Sequence, residues 1–433
     1  MFHDADDPQP PQVHPSTYFR IAQLQSSALF PSLRHLQYNL KHASNSDSHI
    51  FFFLSPFLDS LEFINIKGFE DTIVGPFLVT LSSQQPQILS RIVLRSGQMS
   101  VGILKKSIVL FKQLRSLELL DAVFMSDSDF VLWEALGTLP FLENLTLKSI
   151  DPAPHPAHAP ENLNSQSGGL KYFDALKSLC ITGSIFFIEH LLGFIDSPYL
   201  KTIKVYPVIN NASVRNEPEP DNLFIPSMTI AVSKWSHSLN YLVIDSSSES
   251  SGTPGTQRYA ISKCLMLLTD FHEMQAFRLK GLKMENMDED VRRLVTSWPK
   301  LRFLRFPHSR SFISLSTLRI IAENCPELRQ LYIRLDASTV IEPSNTPSKS
   351  LHHQLEILNV GKVHLSSSRN ATSSLECQIQ MARHLDLIFP YLKSIEVQPD
   401  SWSGIRDLVM HCQKVRRGQY WEANENDLYF QVR

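Results

Sequence analysis

Leu318-Arg-Ile-Ile-Ala-Glu-Asn-Cys-Pro-Glu-Leu-Arg-Gln-Leu-Tyr-Ile333 decides how the rest of the chain is read. From Leu328 it has the form L-x-x-L-x-(apolar), and the residues before Pro326 favour a helix. Side chains alternate along an extended strand, so the fourth and sixth positions of the phrase point to one side, into a core, and those between point out. A strand buried on one face needs cover, which a helix in the other half of the unit supplies with its apolar stripe.

The phrase recurs thirteen times, beginning at Leu33, Leu58, Leu89, Leu114, Leu142, Leu176, Leu200, Leu239, Met274, Leu301, Leu328, Leu355 and Leu392. Successive gaps are 25, 31, 25, 28, 34, 24, 39, 35, 27, 27, 27 and 37. The shorter gaps fit the period of leucine-rich repeats, and the longer ones are a repeat plus an insertion. Helical cover is predicted over residues 126–139, 184–195, 258–271, 288–298, 314–324, 375–389 and 402–411, with Ser126 and Asp129 resembling a capping box. Seven copies place proline two residues before the first leucine, at Pro31, Pro56, Pro140, Pro198, Pro299, Pro326 and Pro390, where it stops a helix and sets an extended approach to the strand.

These patterns predict an α/β leucine-rich-repeat solenoid, a horseshoe or arc with a parallel concave β-sheet and convex helices. The expected organisation is a disordered tail over 1–16, the repeat domain over 17–420 and a C-terminal tail over 421–433. A doubly wound sheet would also have parallel strands, but it calls for glycine-rich turns and a broken period, against 15 glycines and a sustained repeat here.

Composition narrows the functional classes. The formal net charge is −2, from 41 basic and 43 acidic residues, so no global field draws the chain to nucleic acid or an anionic membrane. Five cysteines, none closer than 35 residues to the next, show no disulfide or metal-ligand spacing and read as reduced and intracellular. The start lacks the layout of a signal peptide and no apolar run approaches the length of a bilayer span, so a cytoplasmic or nuclear location is expected.

Two sequence passages carry a family resemblance. Residues 318–333, with Cys325, resemble the cysteine-containing leucine-rich repeats of F-box proteins, and Leu408-Val-Met-His-Cys-Gln-Lys-Val415 echoes them. Leu139-Pro-Phe-Leu-Glu-Asn-Leu-Thr-Leu147, the irregular repeats and the Ser- and Pro-rich insertions resemble the large group of fungal F-box-like repeat proteins. The resemblance implies repeats that recruit a substrate and an N-terminal F-box that docks the adaptor of a cullin-RING ubiquitin ligase. The segment Thr17–Phe30 before the first repeat has room for one helix, less than an F-box needs.

Insertions at 149–169, 208–227, 245–257, 336–354 and 364–374 are rich in Ser, Pro, Asn or Gly, a composition expected of rim loops, the fourth replacing its repeat's helix. No phosphate loop, nucleophile elbow or zinc-protease motif occurs, since His272-Glu273 is followed by Ala276 where a second histidine would be needed. His155 with His158, and His352 with His353, read as solvated loop histidines, and Cys180 as a small filler on an outward strand position. No catalysis and no cofactor are expected; the chain should act by binding a protein.

The binding surface expected is the concave face. Its outward positions hold Lys204 and Tyr206, Tyr241, Arg278 and Lys280, Phe303 and Arg305, then Tyr332 and Arg334, a basic and aromatic stripe. Glu62, Glu118 and Thr146 occupy the matching position earlier, so the face should be acidic or neutral first and basic later. Such a stripe suits an acidic or phosphorylated partner, because arginine pairs bidentately with carboxylate or phosphate. It also reads as an ordinary solvated polar face, and less well as a nucleic-acid surface.

Overall fold

A computed structural model of the chain describes residues 29–40, 47–84, 88–95, 106–122, 129–149, 172–208, 224–246, 262–282, 284, 286–306, 312–336, 353–364, 375–397 and 403–416. The chain divides into two compact units, Met1–Tyr199 and Leu200–Arg433. Each is a leucine-rich-repeat array.

The first unit contains β1 (His35–Asn39), β2 (Ser60–Ile64), β3 (Arg91–Arg95), β4 (Ser116–Ala122), β5 (Asn144–Ser149) and β6 (Ser178–Gly183), parallel and paired in chain order. Its helices are α1 (Gly75–Gln84), α2 (Asp129–Gly137) and α3 (Ile185–Phe194). The second contains β7 (Thr202–Pro207), β8 (Tyr241–Asp245), β9 (Ala276–Lys280), β10 (Phe303–Arg305), β11 (Ile313–Ser314), β12 (Gln330–Asp336), β13 (Ile357–His364) and β14 (Ser394–Val397). They pair in parallel in that order, except that β10 and the two-residue β11 both lie against β12. Its helices are α4 (Ile225–Trp235), α5 (Ser262–Leu268), α6 (Met287–Ser297), α7 (Leu315–Asn324), α8 (Leu375–Ile388) and α9 (Ser403–Arg416).

Every one of the thirteen phrases carries a strand that starts two residues after its first leucine or methionine. The register follows the phrase: His35, Ser60, Arg91, Ser116, Asn144 and Ser178 align across the first unit, and Thr202, Tyr241, Ala276, Phe303, Gln330, Ile357 and Ser394 across the second. The fourth and sixth positions are therefore stacked in two internal rows, such as Ile203, Leu242, Phe277, Leu304, Leu331 and Leu358, all at most 1% exposed. Fully burying such a side chain contributes roughly 2 kcal/mol, which drives the stacking of one repeat on the next. In the first copy Leu33 and Tyr38 are only half-buried.

The residue just before the proline links consecutive repeats. The buried Ser55 hydroxyl donates to the Pro31 carbonyl at 3.1 Å and accepts from the Phe57 amide at 3.2 Å. Ser197 does the same to Leu176 at 2.7 Å and from Tyr199 at 3.2 Å. Trp298 at this position donates its indole N–H to Leu268 at 3.1 Å, and the Cys325 thiol donates to Trp298 at 3.5 Å. Each bonds a carbonyl of the preceding repeat; those of Leu268 and Trp298 also accept from the Phe271 and Leu301 amides, at 3.2 and 3.1 Å, so there the side chain uses the second lone pair. Burial pushes the Cys325 thiol up to about 12, so it remains the protonated donor that this geometry uses.

All seven predicted helices are present. Residues 258–261 and Ser126 of the expected capping box lie outside the described residues. α1 and α4 were not expected. α4 occupies part of the insertion read as 208–227, because Pro226 there does not break a helix but opens its first turn, where no intrahelical N–H is required. The replacement of a helix within 336–354 concerns residues that again lie largely outside the described ones.

Candidate partner-binding face

The predicted stripe lies wholly in the second unit, and the register resolves it into three rows across the strands. Lys204, Val243, Arg278, Arg305, Tyr332, Asn359 and Glu396 form the central row. Tyr241 and Phe303 stand in the row before it, on either side of Ala276. Lys280 stands in the row after it, opposite Asp245, with Tyr206 one residue beyond the Val205–Ile244 pair. Arg334 sits where the register of β12 and β13 shifts between Ile333 and Leu335.

Asp245 changes the electrostatics of this face. It ends β8 and is 8% exposed, and its carboxylate accepts from Arg278 at 3.2 Å and pairs with Lys280 at 3.6 Å. A buried carboxylate needs such partners, so two of the cations read as ligand groups are spent on neutralising it. Sequence reading placed Asp245 at the start of a Ser-rich insertion; its signal was the alternation, since it follows Tyr241 and Val243 at strand spacing.

Lys204 and Arg305 differ. The Lys204 ammonium lies 5.7 Å from the Tyr241 ring centroid, and Arg305 donates to the Gln330 side-chain oxygen at 2.8 Å. Among the described residues neither cation is paired with a carboxylate. Tyr332 packs over Gly361 of β13, where a Cβ would come within 3.4 Å of its ring.

Of the two characters expected of the earlier face, acidic or neutral, the ion pairs favour neutral. Arg95 pairs with Glu62 at 2.7 Å and Arg91 with Glu118 at 2.8 Å, both arginines coming from β3, which sets Val93 between the two glutamates. Thr146 and Cys180 continue that row with small side chains.

His353 is the second correction. It is 2% exposed, not a solvated loop residue. Its Nδ1 accepts from the Leu355 amide at 3.0 Å and its Nε2 donates to the Cys325 carbonyl at 2.8 Å, against the edge of the Phe389 ring. Burial holds its pKa below the ordinary imidazole value, opposed by the bond to Cys325. His155, His158 and His352 lie outside the described residues. Among the described residues no group of three His, Cys, Asp or Glu side chains is placed to hold a metal ion, and no helix is long and apolar enough to cross a membrane. A groove of about 440 Å³ lies at the end of the central row, between β14 and α9, lined by Asn359 and Glu396 of that row and by Lys393, Arg406 and Met410 among others.

No family model and no curated protein matches the chain. Solved structures do resemble it. An internalin from Listeria monocytogenes is 11% identical, with 90% of this chain and 92% of that one covered, at a TM-score of 0.42. The yeast Rad7 and Elc1 complex contains a chain 15% identical, with 73% of each covered, at a TM-score of 0.36. A Bacteroides fragilis protein solved as a structural-genomics target is 15% identical over 63% of this chain, at a TM-score of 0.34, and this chain spans 64% of its length. At these identities the likeness says nothing of chemistry or partner.

Proposed function

We propose that the chain is a non-enzymatic protein-recognition module, working inside the cell, that receives an acidic or phosphorylated segment of a partner protein on the sheet face of its second unit. One observation carries this reading: Lys204, Arg278, Arg305 and Tyr332 share a row, and Lys204 and Arg305 have no carboxylate of their own among the described residues. Arginine supplies directed paired donors for an oxyanion, and tyrosine offers rigid contact area at little entropic cost.

Within that reading the chain is the substrate-binding part of an F-box-like ubiquitin ligase receptor. The support is the repeat around Cys325, which resembles the cysteine-containing repeats of that family and whose thiol is built into the contact between repeats. A stand-alone scaffold or inhibitor would use the same face without a ligase.

The test is affinity capture from fungal extract on the immobilised intact chain, wild type against K204E with R305E. Retained proteins that survive the double reversal at undiminished yield would exclude this face. Loss of a partner at least ten-fold, with D245N strengthening its retention by releasing Arg278 and Lys280, is the expected result. Co-recovery of the F-box adaptor and cullin supports the receptor; a reproducible partner without them supports the scaffold.

A further inference from the structure

Two outward positions of this face are small and apolar. Ala276 stands between Tyr241 and Phe303 in one row, and Val243 between Lys204 and Arg278 in the next. The strands β8 and β9 are neighbours, so the two side chains form a diagonal floor, 6% and 3% exposed, while Tyr241 and Phe303 are each 37% exposed. A floor of two small residues is thus bordered by two aromatic rings and two cations.

Strands lie about 4.8 Å apart, so the two aromatic side chains spring from backbones separated by roughly 10 Å. A third ring centred between them would be about 5 Å from each, within the range of favourable aromatic pairs. Along the strand, positions two residues apart are separated by about 6.8 Å, the offset between Ala276 and Arg278 and also that between alternate side chains of an extended ligand.

We propose, on the reading of this face as an acidic-segment site, that Tyr241, Ala276 and Phe303 form a slot for one aromatic side chain of the partner. The partner segment is extended and carries its anionic group two residues from that aromatic one, which sets the anion over the central row near Arg278 and Arg305. The slot selects among acidic segments; the cations alone would accept any of them. Charge complementarity with Lys204 and Arg305 is what names the occupant as an acidic peptide and not a neutral apolar one.

The experiment is fluorescence anisotropy with the intact chain and short labelled peptides of the form acidic–Phe–Gly–Glu, their Phe→Ala counterparts, versions with the Glu moved next to the Phe, and versions with phosphoserine for the Glu. A276L fills the slot without changing charge, and F303A removes one wall; circular dichroism checks that each variant is folded. Expected are a loss of at least ten-fold on Phe→Ala, a similar loss with A276L or F303A, and no effect of either variant on the aromatic-free peptide. Tighter binding of the phosphoserine or of the glutamate peptide tells a phosphate from a carboxylate ligand, and either supports the slot when the aromatic residue is required. Equal binding of Phe and Ala peptides, insensitive to A276L and F303A but abolished by K204E with R305E, would overturn the slot and leave the acidic-segment reading standing. Absence of binding by every peptide to the folded wild type would overturn both.

Discussion

His353 occupies the position two residues before Leu355, which seven other copies fill with proline. Its imidazole compensates for the missing ring with two hydrogen bonds, and the acceptor at Nδ1 exists only in the neutral form. His384 on α8 is also buried, and its pKa is lowered by burial first and by the Arg319 charge second. On the same helix Asp386 forms an ion pair with Arg416 of α9. Folding holds both histidines neutral, so below the unfolded value of about 6.5 the unfolded chain binds more protons than the native one. Stability from these groups is complete above that pH and falls as the pH drops through it. Urea midpoints between pH 7.5 and pH 5 should therefore decline for the wild type, with a limiting slope of about 1.4 kcal/mol per pH unit for each group. H353Q, which retains a donor and an acceptor but cannot be protonated, should decline less; an unchanged slope would show that His353 does not titrate in this way. His353 was not legible as buried, because its Ser- and Pro-rich neighbourhood looks solvated and only tertiary contact removes the water. Asp245 was obscured for the same reason.

At the scale of elements, the strands were legible and the helices largely so, because apolar residues at the fourth and sixth positions face a core in copy after copy. The short β10 shows how strong that pattern is, since it holds register on both sides with three residues. Leu304 at its centre is fully buried, and its truncation in L304A should cost about 2–5 kcal/mol through lost burial and the cavity left behind. Chemical denaturation measures it, and a loss under about 1 kcal/mol would mean that neighbouring repeats collapse into the space. What the pattern did not reveal was α1 and α4. Both begin with a proline in the first turn, at Pro76 and Pro226, and proline is ambiguous between a helix stop and a helix start until the flanking backbone is known. The outward rows were legible as a list of residues but not as a site. Knowing that Tyr241 and Phe303 flank Ala276, or that Arg91 and Arg95 reach across to Glu118 and Glu62, requires the register between strands.

Across the molecule, alignment of the strands is indifferent to how much chain lies between them. Phrases separated by 24 residues and by 39 residues are each followed by a strand at the same offset, and within each unit the paired strands stay in step through the phrase, the shifts between β4 and β5 and between β12 and β13 coming after it. A solenoid stacks unit upon unit, so each repeat answers only to its neighbours and a length change between strands is not passed on. A single residue added inside a strand behaves oppositely, because the period of two turns its inward side chains outward. Deleting residues 248–257, between β8 and α5, should leave the unfolding midpoint close to that of the wild type, whereas one alanine inserted after Leu304 should abolish cooperative unfolding of the second unit. Thermal melts followed through the buried Trp235 and Trp298 would show both, and an intact transition in the insertion variant would refute the argument. The architecture thus sorts heritable length variation into two kinds. Between the strands the chain is free to drift in size over generations, while within the phrase that sets their register even one added or lost codon should be purged.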